Sequence, residues 1–334
     1  MKTCFYYGLI FVICDVAAQK KTESFKLKHC SCKRRLASQS DVSAEINCEK
    51  PVRLEETTCS EDAFHRGPGQ KVIGTCFYGD TESESHQTRL YFEGISENLE
   101  AMAEVYPDWT MRIYFNESLS KLTLRDICDL ACEHDNLDLC HVGKLPMGPE
   151  IDDVTLSNMF PMMWRFLPLL DPQVTIFLSR DLDSVVNRRE MAAVAEFIES
   201  DHVLHIMRDH PKHELPIMGG LWGCKVSSTL DKWKQIWPLM LQDEKVVDST
   251  IHYGMDQYAL DKYVWPWAQE LALVHDSFNC DKFRTPFTRA FPTQRLYELN
   301  NFVGSIRYSP EYQTLWETCP ENCRPKDHPD WEYC

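Results

Sequence analysis

The sequence predicts an α/β fold built on a mostly parallel sheet, bracketed by a small cysteine-rich N-terminal stem and a C-terminal tail. Three observations predict it. An apolar run over 71–79, a helix-patterned stretch over 91–106 (Leu99, Met102, Val105) and a second apolar run at Trp109–Phe115 follow in that order. That is the spacing of one nucleotide-binding-type strand–helix–strand unit. The alternation returns from Val174–Ser179 through a helical pattern over 188–198 to an apolar run over 202–208. Cysteines gather outside these units, with Cys30, Cys32, Cys48 and Cys59 before them and Cys319, Cys323 and Cys334 after them.

Taken in order, residues 1–18 read as a secretory signal peptide. Lys2 precedes an apolar run over 4–14 that is too short to span a bilayer, and Val16-Ala17-Ala18 supplies a small-residue cleavage site. An uncleaved Golgi anchor fits less well, because the run is short and meets Asp15. Residues 19–70 read as a disulfide-tied stem or cap, closed by the turn Gly67-Pro68-Gly69. The main domain spans 71–308. Its first strand, 71–79, is stopped by glycine; the helix over 91–106 and the strand Trp109–Phe115 follow. The stretch 122–140 is predicted helical and disulfide-bearing, and 159–170 is an apolar, aromatic helix leading into Val174–Ser179. The tail, 309–334, is proline-rich and is expected to wrap the domain. No 20–50-residue repeat is visible.

The 334 residues with 43% hydrophobic content suffice for one large α/β domain plus appendages. A formal net charge of −16 argues against nucleic acid or an anionic lipid surface as partner. No second run is long enough for a membrane span, so none is expected after signal cleavage. Fifteen cysteines in a secretory chain imply disulfides. Removal of Cys4 and Cys14 with the signal leaves an odd number, so at least one thiol is free or links two chains in a dimer. Cys30-Ser-Cys32, Cys128-x3-Cys132 and Cys319-x3-Cys323 have spacings that zinc also uses, but an oxidising compartment favours disulfides. Asn116-Glu-Ser118 is the single N-glycosylation acceptor. The expected location is the secretory pathway, either secreted or in the Golgi lumen.

The chemistry-bearing residues lie where strands end. Asp181-Leu182-Asp183 follows the run at Val174–Ser179, and carboxylates at i and i+2 suit a hard divalent cation with coordination left open for a phosphate. The same acids could instead cap the helix that follows. Arg208-Asp209-His210-Pro211 ends another strand, at the sheet edge where α/β proteins gather ligands, and is equally compatible with a surface turn. The segment 216–223 carries Gly219, Gly220 and Trp222: glycines permit close backbone approach and an indole can stack on a sugar. It lacks the lysine of a phosphate loop. Asp256 stands at a helix entry, as an N-cap or as a general base for an incoming hydroxyl. His275, near the end of an apolar stretch, has the imidazole that would complete a Mn²⁺ or Mg²⁺ site with two carboxylates.

In order and spacing these segments resemble the GT-A glycosyltransferases, more closely one poorly characterised glycosyltransferase-like group within them. The resemblance is carried by the strand 72–79, the strand through Phe115, and the run Met163-Trp-Arg-Phe-Leu-Pro-Leu-Leu-Asp171. Ser179-Arg-Asp-Leu-Asp-Ser184, Met207-Arg-Asp-His-Pro211, the 216–223 segment, Asp256-Gln257 and His275-Asp-Ser277 complete it. It covers roughly residues 71–305 and implies a single Rossmann-like αβα sandwich. It also implies a metal-dependent enzyme that moves a sugar from a nucleotide-sugar donor (UDP- or GDP-linked) to a glycan or glycoconjugate hydroxyl. Under it, Asp181, Asp183 and His275 would hold Mn²⁺ or Mg²⁺, which offsets charge on the leaving diphosphate. Asp256 would activate the acceptor. Arg180 and Arg208 would bond the diphosphate, Phe77, Tyr78 and Gly79 would line the nucleoside pocket, and Asp209, His210 and Trp222 would face donor sugar or acceptor.

Two other functions compete. Asp181-Leu-Asp183-Ser-Val185 formally fits a haloacid-dehalogenase-type phosphatase motif, but Ser179-Arg180 separate it from its strand and two strand–helix elements precede it. A secreted, catalytically inactive carbohydrate-binding or interaction protein on the same scaffold is the non-enzyme alternative, because a fold and a metal motif do not establish turnover.

Overall fold

The computed structural model describes residues 24–26, 30, 33–35, 52–78, 86–147, 156, 159–247, 254–283, 285–295, 302–306, 315 and 317–334. The expected signal segment, half of the stem and Gly79 lie outside these. A short antiparallel hairpin, β1 (Ser24–Lys26) and β2 (Lys33–Arg35), precedes the main domain.

The main sheet has eight strands. β3 (Gln70–Cys76), β4 (Trp109–Phe115) and β5 (Leu137–His141) run parallel to one side. β6 (Val174–Ser179) returns to pair with β3 on its other side, also parallel, with Ile73 opposite both Met111 and Leu178. β7 (Leu204–Arg208), β8 (Trp222–Lys225), β9 (Ala272–Asp276) and β10 (Thr288–Arg289) complete the order β10-β9-β7-β8-β6-β3-β4-β5. β8 alone is antiparallel to its neighbours β6 and β7. The protein is therefore α/β with a mostly parallel mixed sheet.

Consecutive residues of each strand fall alternately into two apolar clusters, as the period of two demands. Val72, Tyr114, Phe177, Ile206 and Val274 join one; Ile73, Phe115, Leu178 and Met207 join the other. The second cluster is covered by α2 (His86–Val105), α3 (Lys121–Glu133) and α4 (Arg188–Glu199). The first is covered by a 3-10 segment, Pro161–Leu170, and by α5 (Val226–Leu241). Strands buried on both faces read as continuous apolar runs, which is why they were visible in sequence.

Several elements differ from expectation. The stretch 122–140 is two elements: α3 ends at Glu133, His134 caps it in extended geometry, and Leu137–His141 is strand β5. The helix expected over 159–170 is of the 3-10 type, with proline at its start and at Pro168, where a missing N–H disfavours α-type bonding. The first strand stops at Cys76 rather than reaching residue 79. The glycine-bearing segment over 216–223 runs into a strand, β8, which its sequence does not announce.

The N-terminal residues next to β3 are fastened to the same core. α1 (Glu61–His65) is capped by Ser60, Cys59 is bonded to Cys140 of β5, and buried Arg66 forks onto Asp138 at 2.9–3.1 Å. Buried Asp171 gathers Thr57, the Thr58 N–H and Arg112 at 2.8–3.2 Å. Cys30–Cys128 ties the stem to α3, while Cys280–Cys323 and Cys319–Cys334 fasten the tail. The tail reaches α4, where the Cys334 carbonyl accepts from Arg189 at 2.6 Å. Cys132 is also disulfide-bonded; Cys76 and Cys224 are free thiols. Intrachain disulfides are compatible with a secretory-pathway location. No helix among the described residues is long and apolar enough to cross a membrane.

Candidate functional site

The chain runs outward through β3, β4 and β5, then crosses back to place β6 beside β3. Such a reversal opens a crevice at the carboxyl ends of the two strands. Cys76 and Tyr78 leave β3 at that edge, and Asp181 and Asp183 leave β6 there. Because β8 runs antiparallel, its start lies at the same edge, which brings Gly219 and Gly220 to it.

The centre of this edge is a residue the sequence reading passed over. Arg165, on the 3-10 segment and 2% exposed, donates from Nη1 to Asp181 Oδ1 and from Nη2 to Asp256 Oδ2. One guanidinium thus joins two acids 75 residues apart in the chain. Asp181 is 41% exposed, so its carboxylate opens to solvent. Asp256 is buried, and its Oδ1 has no hydrogen-bond partner. A buried carboxylate oxygen without a protein donor is free to accept from water or from a bound ligand. The signal for Arg165 was present in the sequence: a single charge inside the apolar run 159–170 must be paired where it is buried.

The glycines explain how the groups come so close. A Cβ on Gly219 would run into Asp256 Oδ2 and Arg165 Nη2, and one on Gly220 into the Asp181 carboxylate. Their backbone is held in place by Ser179, whose hydroxyl donates to the Gly219 carbonyl at 2.5 Å, and by Arg180, which donates to the Gly220 carbonyl at 3.0 Å.

Neither acid of the Asp181–Asp183 pair serves as a helix cap. β6 ends at Ser179, and α4 starts at Arg188 with Asn187 as its N-cap, accepting from the Glu190 N–H at 2.9 Å. Asp181-Leu182-Asp183 is a separate turn. Leu182 plugs into the apolar core while both acids stay partly exposed. Asn98 of α2 clamps this turn, accepting from the Val186 N–H at 3.1 Å and donating to the Leu182 carbonyl at 3.4 Å. A Cβ on Gly94 would meet that same carbonyl, so glycine lets the helix approach. Asp256 lies in the first turn of α7, counting α6 as Glu244–Val247 and α7 as Met255–Ala259; the N-cap there is Gly254 at φ 99°.

Electrostatics mark the same cluster. Burial, reinforced by the adjacent Asp181 carboxylate, pushes Asp183 up to about 6. Burial pushes the Cys76 thiol up to about 12, with Arg165 opposing and Asp181 and Asp256 adding to the rise. The Tyr78 phenol is likewise held above its ordinary range by burial and by nearby Cys76 and Tyr91. Tyr78 meets Phe160 and Trp164 edge-on, partly exposed beside the site.

The structure gathers Tyr78, Asp181, Asp183, Gly219, Gly220 and Asp256, and leaves other expected residues elsewhere. His275 sits in β9, three strand positions from β6, about 14 Å across the sheet. Both its ring nitrogens are engaged at 2.8 Å, Nδ1 with His205 and Nε2 with Glu196, so it does not join the two acids. Arg180 is buried on Glu190, Ser184 and the Gly220 carbonyl. Arg208 is buried on Asp276 and the Pro216 carbonyl, with Phe283 under its guanidinium. Asp209 takes both prongs of Arg189 at 2.7 and 2.8 Å, together with Ser277 and the Val303 N–H. His210 accepts from the Lys212 N–H and packs near His213 and Phe302. Trp222 is core, wedged between Phe166 and Phe177, and Phe77 packs on Phe92. Asn116 follows β4 on a partly exposed turn, its side chain accepting from the Ser118 N–H.

No protein-family model matches the chain, and no curated protein matches it.

Proposed function

We propose that this chain is a metal-dependent glycosyltransferase that moves a sugar from a nucleotide-sugar donor to an acceptor hydroxyl. The observation that carries it is the Arg165 bridge. It places partly exposed Asp181, with Asp183 two residues on, and a buried acid with a free oxygen together at the crevice between β3 and β6. That is the arrangement a donor diphosphate and an acceptor hydroxyl require on one sheet edge.

The two acids fit a divalent cation. Burial first, and the neighbouring Asp181 carboxylate second, push Asp183 up to about 6, a cost that a bound cation would relieve. Among the described residues no group of three or more His, Cys, Asp or Glu side chains converges at ligand spacing. With His275 engaged elsewhere, the protein would supply two carboxylates, and phosphate and water oxygens the rest, as is usual for Mg²⁺. The cation, when bound, offsets the charge on the departing diphosphate. The chain's own groups do the remainder. Asp256 Oδ1 accepts the hydrogen bond, then the proton, of the acceptor hydroxyl, while Arg165 holds Oδ2 so that Oδ1 keeps its direction. Tyr78 lines the donor side, and the absence of a Cβ at Gly219 and Gly220 leaves room for the Asp256, Arg165 and Asp181 side chains that would meet the substrates.

The test is release of nucleoside diphosphate from UDP- and GDP-sugars with Mn²⁺, for the wild type and Asp256→Asn. Mn²⁺-dependent release that falls at least about a hundredfold in the variant, while nucleotide binding persists, supports the assignment. Full activity in Asp256→Asn removes the base role.

A second reading is a carbohydrate-binding protein without turnover. It draws on the buried ion pairs of Arg180 and Arg208, which hold away from the crevice two cations expected on the diphosphate. It requires glycan binding without any Mn²⁺-dependent nucleotide binding.

A further inference from the structure

We propose that Arg165 is the resident counter-ion of this site, and that a divalent cation binds Asp181 by displacing one arm of it. The other arm stays on Asp256. This rests on the reading that Asp181 and Asp183 hold a divalent cation, and goes beyond it by naming the residue with which the cation competes.

The two arms are unequal. Asp181 is 41% exposed and Asp256 2%. An ion pair open to water is weakened by solvent and salt, whereas breaking a buried one leaves an uncompensated charge. An incoming cation therefore meets the weaker arm. Arg165 Nε has no hydrogen-bond partner, so no third bond of the guanidinium resists the change. Gly219 leaves the Asp256 arm its room, because any Cβ there would strike both Nη2 and Asp256 Oδ2. Asp256 Oδ1 remains the free, buried acceptor throughout. The consequence is linkage: occupancy at Asp181 changes the charge around Asp256 through one shared side chain, so the metal and hydroxyl subsites are coupled.

The competition is measurable with Mn²⁺ alone, on the full mature chain, by electron paramagnetic resonance of the free ion. Removing Arg165 in an Asp256→Asn background leaves no buried unpaired acid. Arg165→Met/Asp256→Asn should bind Mn²⁺ about tenfold more tightly than Asp256→Asn, because the competing positive charge has gone. Equal or weaker affinity overturns the role of Arg165 while leaving the metal site standing. Failure of Mn²⁺ to bind the wild type and every variant overturns the metal site, and this inference with it. Should the double variant not fold, nitrogen-15 resonances of the arginine side chains in the wild type give the answer. Saturating Mg²⁺ should shift the Arg165 guanidinium signal, and Asp181→Asn should shift it without the ion. An Arg165 signal indifferent to Mg²⁺ that binds overturns the proposal.

Discussion

At Gly220 a single methyl group decides whether the site can form, since a Cβ there would occupy the position of the Asp181 carboxylate. Gly220→Ala is expected to cost about 1–3 kcal/mol by overpacking, and to weaken Mn²⁺ binding more than it lowers the melting temperature. Calorimetric titration beside a thermal melt separates the two. Histidines set the pH response. Burial, with His210 beside it, holds His213 down to about 3, and His210 itself lies at about 4. Unfolded histidine titrates near 6.5, so between there and the folded values the unfolded chain binds more protons. Stability therefore falls as pH drops through that window. The urea midpoint should decline from about pH 7 to about pH 5, and His213→Asn, whose amide oxygen can accept the Asp209 N–H, should flatten the decline. An unchanged slope in that variant would assign the acid response to other groups. Residue identities were legible where chemistry clusters in sequence, as at Asp181 and Asp183. The partners of His275 and Trp222 were not legible, because a side chain's neighbours across the sheet leave no trace in its own segment: His205 and Phe177 lie 70 and 45 positions away.

Among elements, α2 does more than cover the sheet. Asn98 grips the Asp181–Asp183 turn at the Leu182 carbonyl and the chain after it at the Val186 N–H, and Gly94 lets the helix lie against it. Asn98→Ala leaves a buried N–H and a carbonyl unpaired and should cost about 2 kcal/mol in chemical denaturation. It should also weaken Mn²⁺ binding. Asn187→Ala, which removes the cap of α4 four residues beyond Asp183, should cost about 1 kcal/mol and leave Mn²⁺ affinity unchanged. The contrast tests whether the turn is held by α2 or by the helix that follows it. β4 and β6 were plain in sequence because apolar runs buried on both faces have sharp ends. β5 was hidden because Leu137–His141 carries apolar residues that continue the pattern of α3 across a three-residue break. β8 was hidden by its glycine and tryptophan, chosen here for close approach to β6 and for the core, and neither a strand signal by itself.

On the scale of the molecule, the site and the cross-links occupy different parts of one sheet. Cys59–Cys140 closes a separation of 81 residues at the β5 edge of the sheet, level with Cys76 but two strands away from β3. Its removal as Cys59→Ala/Cys140→Ala should cost about 4 kcal/mol through chain entropy. Nucleotide and Mn²⁺ affinity in the surviving folded protein should be unaffected. The order of parallel strands was legible because strands alternate with helices, and the crevice between β3 and β6 follows from the chain's return past β3. The joining of residues 165, 181 and 256 was not, because it arises only when three separate crossovers are stacked.

The central claim is that Asp181 and Asp183, beside the Arg165 bridge, form a metal-dependent nucleotide site. The most direct test is a thermal-shift series on the mature protein with UDP, GDP and CMP, with and without Mn²⁺, alongside Asp181→Ala/Asp183→Ala. A ligand that binds only the native state raises its melting temperature. A shift with one nucleoside diphosphate that requires Mn²⁺ and vanishes in the double variant is the predicted result. No shift with any nucleotide, or a shift the double variant retains, would contradict it.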